Sequence, residues 1–411
     1  MSSPPDIVLP ASFLDTDLYK FTMQQAVLHH FRDVQATYRF THRDTDVLFT
    51  RDCFEQFKRS VSHFDQLRLA DAERDWLGKA CPYFTPEYLQ YLSAYRFKVD
   101  QVRVQFLPVS ADGQRGHLDI HAIGPWAETI LWEVPLMACL SELYFRTVDT
   151  DWSYDGQDEA AYRKAETLLK AGCTFSDFGT RRRRTFETQR IVVEALIRAS
   201  HDVNGGKLLG TSNVHLARKY NVSPIGTIAH EWFMAVGALK GYEHANALGL
   251  TLWEAVYPND LLLALTDTFS TEVFFKDFLS NPDQAKRWKG LRQDSGDPFK
   301  YAPRAKEVYE QLGINYHEKT IIFSDALNVD KAVKLKEQCD DIGFASSFGI
   351  GTSLTNDFKC LSQAVHSKAL NMVIKLASVN DLQCIKISDE LTKNTGDPNT
   401  IKLVKTILSL S

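Results

Sequence analysis

The segment CTFSDFGTRRRRTFETQRI, residues 173–191, contains a short apolar stretch, a glycine turn and an amphipathic stretch. This order predicts a strand, a turn and a helix, and it recurs through the centre of the chain. The predicted strands are CTFSD, KLLGT, SPIGTIA, LLLALTD, WKGLRQD, KTIIFSD and IGFASSFGI. Strands joined by helical crossovers are parallel, and their sheet is covered on both faces. The pattern favours an irregular α/β barrel of parallel strands over a doubly wound sheet, which stays an alternative.

The two ends of the chain have a different pattern. ATYRFTHR, QVRVQFLP and HLDIHAIG alternate apolar and polar residues near the N-terminus, as MVIKLASV does near the C-terminus. Such alternation is typical of antiparallel strands. A helix is predicted through TDLYKFTMQQAVLHHF, with Thr16 or Asp17 as its cap. We therefore predict an N-terminal α+β domain (1–125), an α/β barrel domain (126–358) and a C-terminal segment (359–411) that packs back on the N-terminal domain.

Composition excludes several classes of function. The chain has 411 residues, is 44% apolar and has a net charge of −5, so we expect a globular protein without a nucleic-acid partner. The start MSSPPDIVLPASF does not predict a secretory signal, and no apolar run approaches the roughly 18 residues of a membrane helix. Seven scattered cysteines without a CxxC pair suggest a reducing compartment. We expect a cytoplasmic protein, with a nuclear location also open.

The turns that follow the predicted strands are chemically similar to one another. They are DFGTRR, GTSN, GTIAHE, TDTFS, RQDSGD, SDALN and GIGTS. In parallel α/β folds such turns meet at one end of the sheet, where ligands bind. Glycine, serine and threonine offer backbone N–H groups, arginine neutralises anions, and aspartate binds hydroxyls or hydrated Mg²⁺. The set indicates a site for phosphates and sugars.

Four consecutive arginines, Arg181 to Arg184, follow the DFG turn. We expect them to open the next helix with Thr180 as its cap, where cations oppose the helix dipole unless an anion binds nearby. Successive helical residues point about 100° apart, so one or two arginines at most reach the strand mouth. Arg181 is the nearest. The others have no predicted role beyond a solvated helix face or pairing with Glu187.

His230 in GTIAHEWF lies at the predicted start of a helix. A helix N-terminus lowers the pKa of a histidine and favours the neutral, nucleophilic imidazole. A purely structural histidine is the alternative. The position of His230 among the phosphate-type turns favours a functional role.

Taken in order, TDLYKFTM, DFGTRR, GTSN, GTIAHEW, RQDSGDP, FSDALN and FGIGTSLTND resemble the motifs of nicotinate phosphoribosyltransferases, a type II phosphoribosyltransferase family. The pattern is most similar to that of the fungal enzymes, and it spans about residues 14 to 390. Each motif is modest evidence by itself, whereas the ordered set is specific.

The resemblance implies transfer of 5-phosphoribosyl from phosphoribosyl pyrophosphate (PRPP) to nicotinate, giving nicotinate mononucleotide and pyrophosphate for NAD biosynthesis by the Preiss-Handler route. It also implies an ATP-dependent, ligase-type enzyme whose phosphohistidine couples ATP hydrolysis to the transfer, with Mg²⁺ arriving mainly on the pyrophosphate. A homodimer is implied as well. The alternatives are a nicotinamide phosphoribosyltransferase and a non-catalytic binding protein that retains the fold.

The resemblance further implies roles for individual residues. Arg181, His230 and Asp294 are the expected catalytic residues, with His230 phosphorylated by ATP and Asp294 binding ribose hydroxyls or a water of magnesium. Tyr19, from a partner subunit, and Phe178 would hold the pyridine ring between them. Thr227 and Arg292 would contact nicotinate, and Gly351 and Thr352 would hold the 5-phosphate. The other expected substrate-binding residues are Ser212, Ser295, Asp325 and Gly349.

Ser212 is expected to distinguish the acid from the amide. Nicotinamide-using relatives carry aspartate at what resembles this position, and that charge would repel the carboxylate of nicotinate. At about 4 Å and an effective dielectric near 20, the repulsion is roughly 4 kcal/mol before screening. Alternatively, Ser212 caps the helix that begins near Val214.

Overall fold

The computed structural model describes residues 7–363, 365–390 and 394–410. The strands are β1 Gln35–His42, β2 Phe49–Thr50, β3 Val102–Pro108, β4 Arg115–Pro125, β5 Thr174–Asp177, β6 Lys207–Thr211, β7 Ser223–Pro224, β8 Leu263–Leu265, β9 Gly290–Gln293, β10 Thr320–Phe323, β11 Ala345–Ile350, β12 Phe358–Lys359, β13 His366–Ser367, β14 Met372–Val379 and β15 Leu382–Gln383.

The α-helices lie between and around these strands. They are α1 Leu18–His30, α2 Arg51–Val61, α3 Asp71–Ala80, α4 Pro86–Ala94, α5 Trp126–Thr129, α6 Glu133–Thr147, α7 Gln157–Lys170, α8 Phe186–Asp202, α9 Val214–Tyr220, α10 His230–Lys240, α11 Ala245–Val256, α12 Thr271–Ser280, α13 Pro282–Arg287, α14 Pro298–Gln311, α15 Val329–Ile342, α16 Thr352–Thr355 and α17 Pro398–Ile407. No helix in the described ranges combines the length and apolar character needed to cross a membrane.

The central sheet has seven parallel strands in the order β7-β6-β5-β11-β10-β9-β8. It contains a strand from each of the seven predicted segments, and the prediction of an irregular α/β barrel is confirmed as a curled half-barrel. From β5 the chain moves outward through β6 and β7, and it returns through β8 to β11, which pairs with β5 on its other side. The strand predicted in SPIGTIA is only Ser223–Pro224, because the chain then turns toward the start of α10.

A second, antiparallel sheet has the order β15-β14-β1-β4-β2, with β3 also paired to β4. In it, β14 from the C-terminal segment pairs with β1, from Ala36 opposite Val379 to His42 opposite Met372. The tail therefore completes the N-terminal α+β layer, as the fold prediction required. Trp126, directly after β4, stacks on Trp232 of α10 with ring centroids 6.4 Å apart. This contact joins the antiparallel sheet to the helix that begins at His230.

The N-terminus of α1 is held at the carboxyl end of β6. Asp17 occupies the N-cap position, but its carboxylate accepts from Ser212 Oγ at 2.6 Å instead of from the helix. The backbone N–H of Leu18 donates to the Ser212 carbonyl at 2.9 Å, and the backbones of Asp17 and Asn213 form an isolated antiparallel β-bridge. These bonds bring Tyr19 to the mouth of the parallel sheet.

The arginine run does not open a helix, so that expectation is wrong. Thr180–Arg182 form a 3₁₀ turn, and α8 begins only at Phe186, where Thr185 caps it by accepting from Thr188 N. The physical reason is that the last two arginines are drawn into the protein interior before α8 begins.

Arg183 and Arg184 anchor the turn in two buried environments. Arg183 donates to both carboxylate oxygens of Asp15, at 2.7 and 2.8 Å. The guanidinium of Arg184 lies 3.7 Å from the ring centre of Phe145 and 4.2 Å from that of Phe358, and it donates to Ser367 Oγ at 2.9 Å. Aromatic faces attract guanidinium groups electrostatically. With these two side chains held inside, Arg181 and Arg182 are left at the carboxyl end of β5.

Candidate active site

A cavity of about 1000 Å³ opens at the carboxyl ends of the parallel strands. Its volume is at the upper end of the range usual for small-molecule sites. Most of the residues singled out in the sequence line it, namely Tyr19, Phe178, Arg181, Thr227, His230, Arg292, Asp294, Gly349, Gly351 and Thr352. The turns chosen from the strand pattern therefore do converge on one site.

Three of the singled-out residues do not line the cavity. Ser212 is fully buried behind Asp17, and Ser295 is buried behind His230, where its Oγ donates to Asp267 at 2.6 Å. Asp325 follows β10, and its charge acts on Arg182. Ser212 does not cap α9 either, because Asn213 does so by accepting from Leu216 N.

One end of the cavity is aromatic. Tyr19 and Phe178 both line it, and the expected contribution of Tyr19 from a partner subunit stays a prediction. Two glycines make this arrangement possible. A Cβ at Gly226 would lie 2.8 Å from Tyr19 N, and a Cβ at Gly349 would lie 3.2 Å from the Phe178 ring. Side chains at these positions would push the two rings out of place.

Arg181 stands beside the aromatic pair. Its Nη1 donates to Glu133 Oε1 at 2.9 Å, and 37% of its side chain remains exposed. Burial raises the pKa of Tyr19 well above its usual value, so its ring is a neutral phenol beside this cation. Asp17 also lines this end of the cavity, and burial raises the pKa of its carboxyl. The arrangement suits a flat ring with an anionic substituent.

The turn after β5 and the segment after β11 are locked together. The Thr355 hydroxyl donates to the Gly179 carbonyl at 3.0 Å, and Arg184 N donates to the Thr355 carbonyl at 3.1 Å. A Cβ at Gly179 would lie only 2.2 Å from Thr355 Oγ1, so this close approach needs glycine. The DFG turn and the GIGT segment consequently form one rigid wall of the cavity.

His230 lies at the centre of a polar network. Its Nδ1 is 3.0 Å from Thr268 Oγ1, and its Nε2 is 2.9 Å from Asp294 Oδ2 and 3.0 Å from Lys386 Nζ. An ammonium only donates and a carboxylate only accepts, so Nε2 serves one of them at a time. Protonated Nε2 donates to Asp294 and leaves Nδ1 as the acceptor for the Thr268 hydroxyl, whereas deprotonated Nε2 accepts from Lys386.

The electrostatics of this network keep the imidazole neutral and the carboxylate charged. Burial and the Lys386 ammonium lower the pKa of His230, although Asp267 and Asp294 oppose them. Burial alone would raise the pKa of Asp294, but Arg292, His230 and Lys386 hold it well below its usual range. A neutral histidine beside an ionised aspartate is an arrangement that favours a nucleophilic ring nitrogen.

Two cations near the cavity form no ion pair with a carboxylate of the described residues. Arg182 lines it, and within the described residues no carboxylate lies at ion-pair distance from its guanidinium. Burial, together with Arg181 and Arg43, lowers the pKa of Arg182 to about 10. Burial, Arg43 and Lys386 likewise lower the pKa of Lys375, on β14, to about 7. An anionic ligand would relieve this repulsion.

Sequence reasoning missed four residues of this site. Arg182 stood unassigned within the arginine run, and Asp17 was considered only as a helix cap. Asp267 ends the predicted strand LLLALTD and could have been found from that position. Lys386 had no local signal, because the tail that carries it reaches His230 only in the folded protein.

The donor set does not form a dedicated metal cage. Across the described residues, no group of three or more histidine, cysteine, aspartate or glutamate side chains could hold a metal ion. A hydrated Mg²⁺ needs only one or two carboxylates when substrate phosphates supply further ligands. Asp294 lines the cavity and is ionised, so it fits such a supporting role.

Comparison with known proteins was consistent over the whole chain. The profile of the nicotinate phosphoribosyltransferase (NAPRTase) family matches residues 173–411, and that of the NAPRTase N-terminal domain matches residues 14–141. The chain is 42% identical over 413 residues to a probable nicotinate phosphoribosyltransferase of Schizosaccharomyces pombe, with 99% of each chain covered. It is also 42% identical to a nicotinate phosphoribosyltransferase of Saccharomyces cerevisiae, with 96% of this chain and 94% of that protein covered.

Solved structures agree with these matches. A putative nicotinate phosphoribosyltransferase from Saccharomyces cerevisiae superposes with a TM-score of 0.95, at 40% identity and with 100% of both chains covered. A nicotinate phosphoribosyltransferase from Porphyromonas gingivalis superposes with a TM-score of 0.88, at 36% identity and with 97% of this chain and 99% of that chain covered. The resemblance seen in the sequence motifs is thereby confirmed.

Proposed function

The chain belongs to the nicotinate phosphoribosyltransferase family, and from this premise we propose that it couples formation of nicotinate mononucleotide to ATP hydrolysis through a phosphohistidine at His230. The transferase activity that the family implies uses nicotinate and PRPP. The observation that carries the proposal is one cavity that unites a ring pair, uncompensated cations and a neutral histidine. The ATP-dependent, ligase-type character belongs to the proposal.

The transfer step needs positioning and charge neutralisation more than proton transfer. The nicotinate nitrogen attacks C1 of the ribose while the bond from C1 to pyrophosphate breaks, and the charge of nicotinate is drawn to Arg181. Tyr19 and Phe178 hold the ring in line, and Arg182 neutralises the phosphates. Such preorganised cations and fixed geometry are the largest contributions to catalysis of this type.

The coupling step uses the tautomer that Asp294 selects. When Nε2–H donates to Asp294, Nδ1 carries the lone pair. Once the Thr268 hydroxyl no longer donates to it, Nδ1 attacks the terminal phosphorus of ATP and ADP leaves; water later breaks the phosphohistidine bond and releases phosphate. The lowered pKa of His230 supports this step, because a protonated imidazole has no lone pair to react. Mg²⁺, when bound, supplies charge neutralisation on the pyrophosphate, and Asp294 would hold it through a water.

The residues that line the cavity also bear on the two alternative functions. A nicotinamide-using enzyme is disfavoured by Arg181, which lines the cavity with 37% of its side chain exposed, since an amide carries no charge for it to bind. A non-catalytic binder is disfavoured because Arg181, His230, Arg292 and Asp294 all line the cavity. The homodimer, the contribution of Tyr19 across its interface and the cytoplasmic location stay predictions.

The decisive experiment mixes pure protein with labelled nicotinate, PRPP and Mg²⁺, with and without ATP. Formation of labelled nicotinate mononucleotide that ATP accelerates, with labelled phosphate retained on the protein from γ-labelled ATP, is the expected result. If ATP does not change the rate of product formation, the proposed coupling is wrong. If nicotinamide is turned over in preference to nicotinate, the proposed substrate is wrong.

A further inference from the structure

A charge chain connects Arg181, which lines the cavity, to three buried charged side chains behind the cavity wall. Lys20 Nζ is 2.5 Å from Glu133 Oε2 and 2.7 Å from Glu231 Oε2, and the lysine side chain is 0% exposed. The other oxygen of Glu133 accepts from Arg181 Nη1 at 2.9 Å. Charges therefore alternate from Arg181 through Glu133 and Lys20 to Glu231, and their sum is zero.

The charge chain is linked to three residues that line the cavity, although Lys20 itself does not line it. Tyr19 directly precedes Lys20 in α1, and Arg181 forms one end of the chain. Glu231 at the other end directly follows His230 in the first turn of α10. The aromatic end of the cavity and the histidine thus share one buried support.

The Lys20 ammonium stabilises the two neighbouring carboxylates of the charge chain in their ionised form. Burial and the neighbouring Glu133 raise the pKa of Glu231, and the Lys20 ammonium opposes them, with a smaller contribution from the hydrogen bond of Tyr38. Tyr38 donates to Glu231 Oε1 at 3.2 Å and receives a bond from Trp126 Nε1 at 2.9 Å, which fixes the carboxylate against the antiparallel sheet. Without the ammonium, two buried carboxylates would face each other with Arg181 as their remaining cation.

We propose that Lys20 is a positioning residue that holds the aromatic end of the cavity and the His230 helix in one fixed relation. The inference rests on the proposed function, since it concerns nicotinate binding and ATP coupling. A disturbance at one end of the charge chain is then transmitted to the other. Loss of Lys20 weakens both nicotinate binding and the acceleration by ATP, while PRPP binding by Arg182 and the GIGT segment, which are not members of the charge chain, is spared.

The test compares steady-state kinetics of the full-length wild type with those of Lys20→Met. We expect the KM for nicotinate to rise at least tenfold, the KM for PRPP to stay within twofold, and the acceleration by ATP to fall at least fivefold. Lys20→Met/Glu231→Gln removes one charge of each sign and is expected to recover at least threefold of the nicotinate KM. Lys319→Met is the matched control.

Lys319 is also a buried lysine, but its ammonium donates to the backbone carbonyls of Ala285, Lys286 and Trp288 and it does not line the cavity. Its variant is expected to lose thermal stability without a change in either KM. Equal rises of both KM values in Lys20→Met, or a folded double variant no better than the single one, would overturn the proposal.

Glu231→Gln provides a second route if Lys20→Met does not fold. It keeps Lys20 in place and alters a residue outside the cavity, yet we expect at least a threefold rise in the nicotinate KM. An unchanged KM overturns the proposal by itself. An active wild type with no such cross-effect rejects only this inference, whereas a wild type that makes no nicotinate mononucleotide rejects the proposed function as well.

Discussion

Arg183→Met should destabilise the protein, because it removes one partner of a buried ion pair. The side chains of Arg183 and Asp15 are 3% and 0% exposed, and two hydrogen bonds join them. Breaking a buried pair in this way costs about 3–5 kcal/mol, since the remaining charge is left uncompensated. Asp15 keeps bonds from Ala11 N and Asn213 Nδ2, which places the expected loss near the lower end of that range.

The loss is expected to depend on pH. Burial alone would raise the pKa of Asp15, but Arg183 holds it below its usual value. In the wild type, this carboxylate stabilises the fold above its unfolded pKa of about 3.9, and the stabilisation is lost as the pH falls through the lower folded pKa. In the variant burial dominates and the sign reverses, so the penalty grows above about pH 4 by up to about 1.4 kcal/mol per pH unit.

Urea unfolding at pH 5 and pH 7.5, followed by tryptophan fluorescence and far-UV circular dichroism, measures the effect. Coincident transitions allow conversion to a free energy. With an unfolding entropy of about 2.1 cal/mol/K per residue, the Tm should fall by roughly 3–6 °C. Asp15→Asn/Arg183→Met should recover much of the loss.

Arg182→Met is the control, since its guanidinium faces the cavity and pairs with no described carboxylate. It should lose activity and keep its stability within about 1 kcal/mol, as expected for a substitution without a buried partner. If Arg183→Met proves as stable as Arg182→Met at both pH values, the division of the arginine run into anchoring and ligand-binding pairs is wrong.

Three further predictions concern the active site. His230→Ala should abolish the labelled phosphoenzyme formed from ATP yet keep slow, ATP-independent product formation; unchanged labelling would reject the assignment. Lys386→Met should raise the pKa of His230, since the ammonium contributes to lowering it. In a pH profile of phosphoenzyme formation, the acidic limb should therefore move to higher pH, and an acidic limb at the wild-type pH would contradict the prediction. Ser212→Asp should lower kcat/KM for nicotinate at least about tenfold, or roughly 1.4 kcal/mol. The reason is that the new carboxylate faces Asp17, which lines the cavity. A folded variant with wild-type selectivity would show that this position does not affect substrate choice.

The sequence by itself determined the architecture and identified several residues of the cavity wall. Strand and helix periodicity is local, so the seven βα segments could be recognised and their turns assigned to one end of the sheet. Phe178 and Asp294 directly follow strands, and a strand end fixes where its next residues lie. Their convergence on one cavity therefore followed from topology alone.

Only the tertiary structure decided where the side chains of the four arginines and of Ser212 lie and what they contact. Arg183 meets Asp15 across 168 positions of sequence, and Lys386 meets His230 across 156. Ser212 meets Asp17 across 195, which turns it away from the ligand. No local pattern encodes such pairs. Which cation is buried with a carboxylate, and which stays free for an anion, depends on desolvation and on neighbours that the chain brings together only when it has folded.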